Sequence, residues 1–263
     1  MAERTVVREA QAIVSLSSDN QELLNRIYPE TQKKTVSIPN GVDIQTFCPR
    51  QTRDVFAAHG LPASLNDYVL FVGRASRQKG LEYFLPAARA LPPEIPIVIA
   101  TSTRRWDGEE YPHSREYLEA IAKLQGERAR VHVVHDEWDR SRLCELYSHA
   151  ALAVVTSTYE PGCMVALEAQ ACGVPIVANK VGIIKDALVG NKTGVFLEPG
   201  TSTEASVARL VDAIASLYRD QYLREAMGRR ARQLIEASHS WERRAAQHVE
   251  LYEKVSALRE KLQ

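Results

Sequence analysis

The sequence predicts an α/β protein built on a Rossmann-like, doubly wound parallel sheet that is followed by C-terminal helices. Three observations support this fold class: six short β-branched runs, amphipathic segments between them, and a composition that is 45% hydrophobic and 25% charged. Each run is apolar almost continuously, which is typical of strands buried on both faces. Strands that alternate with helices indicate right-handed βαβ units and a mostly parallel sheet.

The predicted elements follow one another in a regular order. The strands are "YVLFVG" (68–73), "IPIVIAT" (95–101), "VHVVHD" (131–136), "ALAVVTS" (151–157), "PIVANK" (175–180) and "GVFLEP" (194–199). Helices are predicted over 80–91, 114–125 and 140–150 between them. We therefore place the Rossmann-like domain over residues 46–236.

Both ends of the chain differ from this pattern. Residues 1–45 contain a strand, a helix, a second strand and the turn cluster "PNGVD" (39–43), which is predicted to be an interdomain hinge. A helix is predicted over 219–238, and residues 237–263 are predicted to be a second helix with Ser240 as its N-cap. An apolar stripe on that helix requires a partner surface and consists of Trp241, Ala245, Val249 and Tyr252.

Charge and cysteine content narrow the function classes. Lys+Arg and Asp+Glu both total 33, so no whole-chain basic field favours nucleic acid or a membrane surface. No apolar run is long enough to cross a bilayer, and the first residues lack the apolar core of a signal peptide. The four cysteines contain no C-x-x-C pair, which favours a reducing compartment over a disulfide framework or a zinc site. The predicted location is the cytoplasm.

The stretch "GRASRQKG" (73–80) follows the first Rossmann strand and is predicted to open a helix. Ligands of open parallel sheets bind beyond the carboxyl ends of the strands, which places Gly73, Arg74 and Lys79 to meet an anion. A cation at a helix N-terminus is unfavourable by about 0.3–1 kcal/mol, and a bound anion would remove that conflict. The alternative is a solvated basic turn. The pattern is neither G-x-G-x-x-G nor a Walker sequence.

A second candidate site lies in "TSTYEPGCMVALEAQ" (156–170), where a strand ends and a helix is predicted to begin near Cys163. Glu160 would precede the helix and Glu168 would lie in its second turn. The free N–H groups over Gly162–Val165 would face a phosphate or a sugar hydroxyl. In the alternative, Glu160 only complements the helix dipole and Glu168 is a surface residue. A nucleophilic role for Cys163 is disfavoured, because no histidine neighbours it in sequence.

Together these stretches resemble the retaining glycosyltransferases of family 4, the group that includes bacterial and archaeal glycogen synthases. Five features carry the resemblance, which covers nearly the whole chain. They are "IPNGVD" with "F-x-P" (38–49), "FVGR" with "KG" (71–80), "LYSHAALAVVTSTYEPG" (146–162), the Glu160/Glu168 pair with "LEAQACGVPIVA", and "NKTGVFLEPG" (191–200). The glycogen-synthase branch is the most similar in pattern.

The resemblance implies the C-terminal half of a GT-B enzyme, in which two Rossmann-like domains face each other and this half binds a nucleotide-sugar donor. By position, Arg74 and Lys79 would bind the donor diphosphate, Glu160 the transferred sugar, and Glu168 the ribose. The loop after "VHVVHD" would neighbour the base, and no metal or other cofactor is expected. The implied donor-binding set is Gly73, Arg74, Lys79, Glu160, Pro161, Gly162, Cys163, Met164 and Glu168, with Arg74, Lys79 and Glu160 as the catalytic residues.

The chain departs from the family pattern in two turns. It has "EPGC" where the family commonly has E-P-F-G, so the turn that contacts the sugar is altered. It also has "VGIIKD" (181–186) where a glycine pair, proline and glutamate are usual. The implied donor is therefore given only as the ADP- or UDP-glucose type.

Only residues 1 to about 38 resemble the other half of such an enzyme, which would bind the glycan or small-molecule acceptor. The predicted function is retaining glycosyl transfer that is incomplete without an N-terminal acceptor domain. That domain would belong to a longer polypeptide or to a separate, complementing chain. The alternative is a non-catalytic nucleotide-sugar-binding subunit that acts through a partner chain. An epimerase or a phosphorylase is less favoured, and no pyridoxal-type lysine signature is present.

Overall fold

The structure is a computed structural model that describes residues 2–102, 110–135, 140–187, 190, 192–198 and 200–260. The strands are β1 (Ile13–Ser15), β2 (Thr35–Ser37), β3 (Tyr68–Arg74), β4 (Ile97–Ser102), β5 (Val131–His135), β6 (Ala150–Val155), β7 (Ile176–Asn179) and β8 (Gly194–Leu197). The helices are α1 (Ala2–Glu9), α2 (Ser18–Ile27), α3 (Asp54–Ala58), α4 (Leu81–Ala90), α5 (Ser114–Glu127), α6 (Arg140–Ser148), α7 (Met164–Ala171), α8 (Ile183–Ala187), α9 (Thr203–Arg219), α10 (Gln221–Ser238) and α11 (Trp241–Glu260). Helices α1, α3, α8 and α9 have no counterpart in the sequence prediction.

The main sheet has six parallel strands in the order β5-β4-β3-β6-β7-β8. This is the Rossmann strand order, in which the chain starts in the middle, winds to one edge and then returns to wind to the other. The order reverses between β3 and β6, so the topological switch point lies between the carboxyl ends of these two strands. The predicted fold class is confirmed.

The sheet is buried on both faces, which explains the continuous apolar runs in the sequence. Within β3, Leu70 and Val72 pack toward α3, α6 and α7, whereas Val69 and Phe71 pack toward α4, α5 and α9. The same alternation recurs in β4 and β6. Because the side chains of these strands are buried except at the strand ends, no polar residue alternates with the apolar ones along their buried length.

The two ends of the chain meet beside this sheet. Strands β1 and β2 form a separate parallel pair. The Val42 N–H donates to the His239 carbonyl at 2.8 Å, and the Trp241 N–H donates to the Val42 carbonyl at 3.2 Å. The Ser240 hydroxyl accepts from the Arg243 N–H at 3.4 Å, which confirms the predicted N-cap. The division at residues 46 and 236 stays a prediction.

Helix α11 carries the predicted apolar stripe on its exposed side. Trp241, Val249 and Tyr252 are 40%, 53% and 63% exposed. Over the described ranges, no helix combines the length and the apolar character that a bilayer crossing requires. The stripe is therefore an apolar surface on a helix whose other residues are mostly polar.

Candidate functional site

The first part of the site is the turn that joins β3 to α4 at the switch point. Residues Arg77–Lys79 form a 3-10 turn, and Gly80 follows in the left-handed conformation with φ +69°. A Cβ at Gly80 would lie 2.0 Å from the Thr156 carbonyl oxygen. The Thr156 hydroxyl in turn donates to the Lys79 carbonyl at 2.9 Å. Only glycine fits this position, and the close approach fixes the turn against the end of β6.

The Lys79 ammonium forms an ion pair with Glu160, with Nζ 2.6 Å from Oε2. The two side chains are only 13% and 11% exposed, so Lys79 is not the solvated cation that the alternative of a basic turn requires. The carboxylate also offsets the unfavourable position of a cation near a helix start. The position of Lys79 therefore does not by itself require a bound anion. Buried ion pairs of this kind depend on both partners, because either charge alone is costly to desolvate.

Arg74 lies at the end of β3 and is held by Tyr111, a residue that the sequence analysis did not identify. Its guanidinium donates to the Tyr111 hydroxyl and lies 4.5 Å from the centre of the ring. A second contact joins Arg74 to Gln78 Oε1 at 3.2 Å, and the Gln78 amide donates to the Tyr159 carbonyl at 3.0 Å. The direction of the guanidinium is thus set by groups from three separate segments.

The turn that carries Glu160 is supported by the N-terminal segment. The Asn40 amide donates to the Gly162 carbonyl at 2.9 Å, and the Gly182 N–H donates to Asp19 at 2.9 Å. Gly182 has φ +53°, and a Cβ there would lie 1.9 Å from the Glu160 carbonyl oxygen. A hydrogen bond from Lys185 lowers the pKa of Asp19, and the Gly182 amide acts in the same direction against burial. None of these supporting contacts was predicted.

Helix α7 begins where the sequence placed it, directly after Cys163. Cys163 is fully buried, and burial together with the nearby Glu160 charge raises the pKa of its thiol to about 12. A thiol of this kind is protonated at neutral pH, so it is not a nucleophile. Pro161, Gly162 and Met164 are partly exposed around it.

Glu168 lies in the second turn of α7 and is only 7% exposed, so the alternative of a surface residue is wrong. The hydroxyl of Tyr147, on α6, donates to Glu168 Oε2 at 3.2 Å. Burial and the charge of Glu168 raise the pKa of Tyr147 well above its usual value. The phenol therefore remains a hydrogen-bond donor to this carboxylate at all ordinary pH values.

The structure places Gly73 against the Lys79 side chain, Lys79 against Glu160, and Arg74 at the carboxyl end of β3 beside Tyr111. These four residues lie at the switch-point edge of the sheet, and their binding of a ligand stays a prediction. The loop predicted to neighbour a base follows residue 136, and its residues 137–139 lie outside the described residues. A separate cavity of about 190 Å³ lies beyond the ends of β6, β7 and β8, where Ser157, Asn179 and Ser202 contribute to its lining.

Comparisons with known proteins agree with this geometry. The family described as "Glycosyl transferases group 1" matches residues 56–234. The alpha-maltose-1-phosphate synthase of Mycolicibacterium smegmatis is 31% identical over 97% of this chain and 66% of the relative. The glycogen synthase of Mycobacterium tuberculosis is 28% identical over 95% of this chain and 56% of that enzyme.

A solved structure, Anabaena HepE in complex with UDP-glucose, superimposes with a TM-score of 0.78. The identity is 22%, and the match covers 95% of this chain and 65% of HepE. The chain thus spans somewhat less than two thirds of the length of these relatives. Together with the strand order, the matches show that the chain belongs to the glycosyl transferases group 1 family and forms the C-terminal, Rossmann-like half of a GT-B fold.

Proposed function

We propose that this chain binds a nucleotide-diphospho-sugar, of the UDP- or ADP-glucose type, and supports retaining transfer of the sugar to a glycan or other acceptor. The observation that carries the proposal is the group formed by Arg74, Lys79 and Glu160 at the switch point of the sheet. Arg74 lies at the carboxyl end of β3, and the Lys79–Glu160 ion pair lies in the turns that follow β3 and β6. An anionic diphosphate and a hydroxyl-rich sugar are the ligand chemistry that such a group complements.

The cations would act on the leaving group. Cleavage of a sugar–phosphate bond develops negative charge on the diphosphate, and preorganised cations stabilise that charge as it forms. Tyr111 holds the Arg74 guanidinium in place, and Glu160 holds the Lys79 ammonium. Neither cation needs to be reoriented at the moment of reaction. No divalent metal is proposed, because these two side chains supply the charge.

The two carboxylates would bind different parts of the donor. Glu160 would accept hydrogen bonds from sugar hydroxyls, with the backbone amides of Gly162–Met164 at the start of α7 assisting. Glu168 would accept from the ribose hydroxyls while Tyr147 holds one of its oxygens. Retention of configuration comes from the family resemblance and not from the spacing of these two residues.

Calorimetry with UDP, ADP and their glucose conjugates tests donor binding. Arg74→Ala combined with Lys79→Ala is expected to weaken binding at least about a hundredfold, since two hydrogen bonds to charged groups are lost.

Arg77→Ala is the matched control. It removes a cation from the same turn, but the Arg77 side chain is 87% exposed. Exposed charges are screened, so the control is expected to change affinity by about threefold or less. EDTA is expected to have no effect. Absence of binding by the wild-type chain, or equal loss in the control, would contradict the proposal.

Tyr111 offers a finer test of how Arg74 is held. Tyr111→Phe keeps the ring under the guanidinium and removes the hydroxyl, whereas Tyr111→Leu removes both contacts. UDP binding is expected to weaken about threefold in the first variant and about tenfold or more in the second. Equal affinities for the wild type and Tyr111→Leu, measured by calorimetry, would show that Tyr111 does not orient Arg74.

The acceptor would be bound by an N-terminal domain that corresponds to the remaining length of the relatives. We infer that the apolar stripe of Trp241, Val249 and Tyr252 on α11 faces that domain. The isolated chain is therefore expected to bind donor but transfer sugar poorly. Adding a complementing N-terminal domain should restore transfer; binding without transfer in the assembled complex would favour a non-catalytic subunit instead. The cytoplasm remains the proposed location.

A further inference from the structure

A thiol on α6 is in direct contact with a thiol on the residue that caps the C-terminus of α7. The Sγ atoms of Cys144 and Cys172 are 3.6 Å apart, and both side chains are buried. A disulfide has an S–S distance near 2.05 Å, so the sulfurs must approach by only about 1.5 Å to bond. The proposed transfer chemistry uses neither residue.

The surroundings of the pair favour an asymmetric ionisation. A hydrogen bond from the Cys172 thiol lowers the pKa of Cys144 to about 6, against burial, and the nearby Arg50 guanidinium contributes in the same direction. Burial raises the pKa of Cys172 well above its usual value. Cys144 is therefore the more readily ionised of the two sulfurs and Cys172 the one that stays protonated, which is the combination found at oxidation-sensitive pairs.

The pair lies below a partly exposed segment. When protonated, the Cys144 thiol donates to the Cys48 carbonyl at 3.1 Å, and Cys48 itself is half-buried. This contact joins the buried pair to a partly exposed segment, which is the route that we assign to a small oxidant. Because Cys48 contacts Cys144, it could form the disulfide in place of Cys172. A test must therefore exclude a cross-link to Cys48.

We propose that Cys144 and Cys172 are a thiol pair that hydrogen peroxide converts into a disulfide linking α6 to α7. The Cys144 thiolate attacks one peroxide oxygen, the O–O bond breaks, and the departing hydroxide takes up a proton to give water and a sulfenic acid. The Cys172 sulfur then attacks the Cys144 sulfur, the S–O bond breaks, and a second water leaves with the thiol proton. Two thiols are oxidised by two electrons and one peroxide is reduced to two waters.

The cross-link would affect the carboxylate assigned to ribose. Tyr147 lies one helical turn beyond Cys144 on α6, and Glu168 lies one turn before Cys172 on α7. The thiol contact and the Tyr147–Glu168 hydrogen bond therefore join the same two helices at adjacent turns. Drawing the sulfurs together shifts Glu168 relative to Tyr147. This consequence rests on the proposed role of Glu168 in donor binding.

Peptide mapping tests the disulfide itself. The folded wild-type chain is treated with hydrogen peroxide, its remaining thiols are alkylated in denaturant, and its peptides are mapped without reduction. A Cys144–Cys172 cross-link is expected, reversible by dithiothreitol, retained in Cys48→Ser and lost in Cys144→Ala. Full alkylation of both residues in the wild type, or a cross-link to Cys48 instead, would overturn the proposal without reliance on any variant.

Calorimetry with UDP then tests the coupling. The oxidised chain is expected to bind about tenfold more weakly than the reduced chain, as for one misaligned hydrogen bond to a charged group. Cys144→Ala is expected to keep its affinity after the same treatment. Equal affinities of oxidised and reduced wild type would overturn the coupling. If the reduced chain binds no nucleotide, the donor-binding proposal fails, and the peptide map alone decides the disulfide.

Discussion

Replacing Lys79 by methionine is expected to destabilise the fold by about 2–4 kcal/mol and to weaken nucleotide binding about tenfold or more, since one hydrogen bond to a charged group is lost. The variant leaves Glu160, whose side chain is 11% exposed, without the ammonium that lies 2.6 Å away. An unpaired carboxylate at this depth loses most of its hydration and recovers little from its surroundings. Urea denaturation measures the change in stability, and calorimetry with UDP measures the binding.

A double-mutant cycle separates the two roles of this ion pair. Glu160→Gln alone is also expected to destabilise the fold, whereas Lys79→Met with Glu160→Gln should cost less than the sum of the two single changes by about 1–3 kcal/mol. Nucleotide binding is expected to stay weakened in the double variant, because the recovered stability does not restore the cation. Strictly additive stabilities would show that the pair contributes nothing as a unit.

Gly80→Ala is expected to destabilise the protein by about 3 kcal/mol or more, since a Cβ must be accommodated in a left-handed conformation and inside a close backbone contact. The new Cβ would lie 2.0 Å from the Thr156 carbonyl oxygen, so the turn that carries Lys79 has to move away from β6. Loss of UDP affinity should accompany the loss of stability. Urea denaturation measures the loss of stability, and calorimetry on the same preparation measures the loss of UDP affinity.

Gly60→Ala provides the matched control for this change. Gly60 has φ +64°, close to the φ of +69° at Gly80, but among the described residues no heavy atom beyond its two chain neighbours lies within 4 Å of its Cβ position. Only the strain of placing alanine in the left-handed conformation remains at Gly60. We therefore expect a loss of about 1 kcal/mol of folding stability and unchanged UDP binding. If the two variants were equally destabilised, the contact with Thr156 would not be what fixes the turn.

The main sheet was predictable because its strands are buried on both faces. Runs such as 68–73 and 151–157 are apolar throughout, and their order along the chain predicts a parallel Rossmann-like sheet. Helix α9 was missed although Ser202 caps it by accepting from the Ala205 N–H at 3.2 Å. A cap signal was therefore present in the sequence, next to an amphipathic segment.

The site was predictable in position but not in its contacts. The pattern places Arg74, Lys79 and Glu160 at one edge of the sheet, since parallel strands end there. The direct pairing of Lys79 with Glu160 spans 81 positions, and the Asn40–Gly162 hydrogen bond spans 122. Such contacts depend on how loops cross the folded sheet, which local periodicity does not record. Tyr111 escaped prediction for the same reason, because a whole strand separates it from Arg74.

A crystal structure of the chain with UDP-glucose tests the central claim most directly, because it locates the donor. The account expects diphosphate oxygens within about 3.2 Å of Lys79 Nζ and the Arg74 guanidinium, and ribose hydroxyls at Glu168. The nearby cavity lined by Ser157, Asn179 and Ser202 is the competing location. Nucleotide bound in that cavity, with Arg74 and Lys79 free of phosphate, would contradict the account.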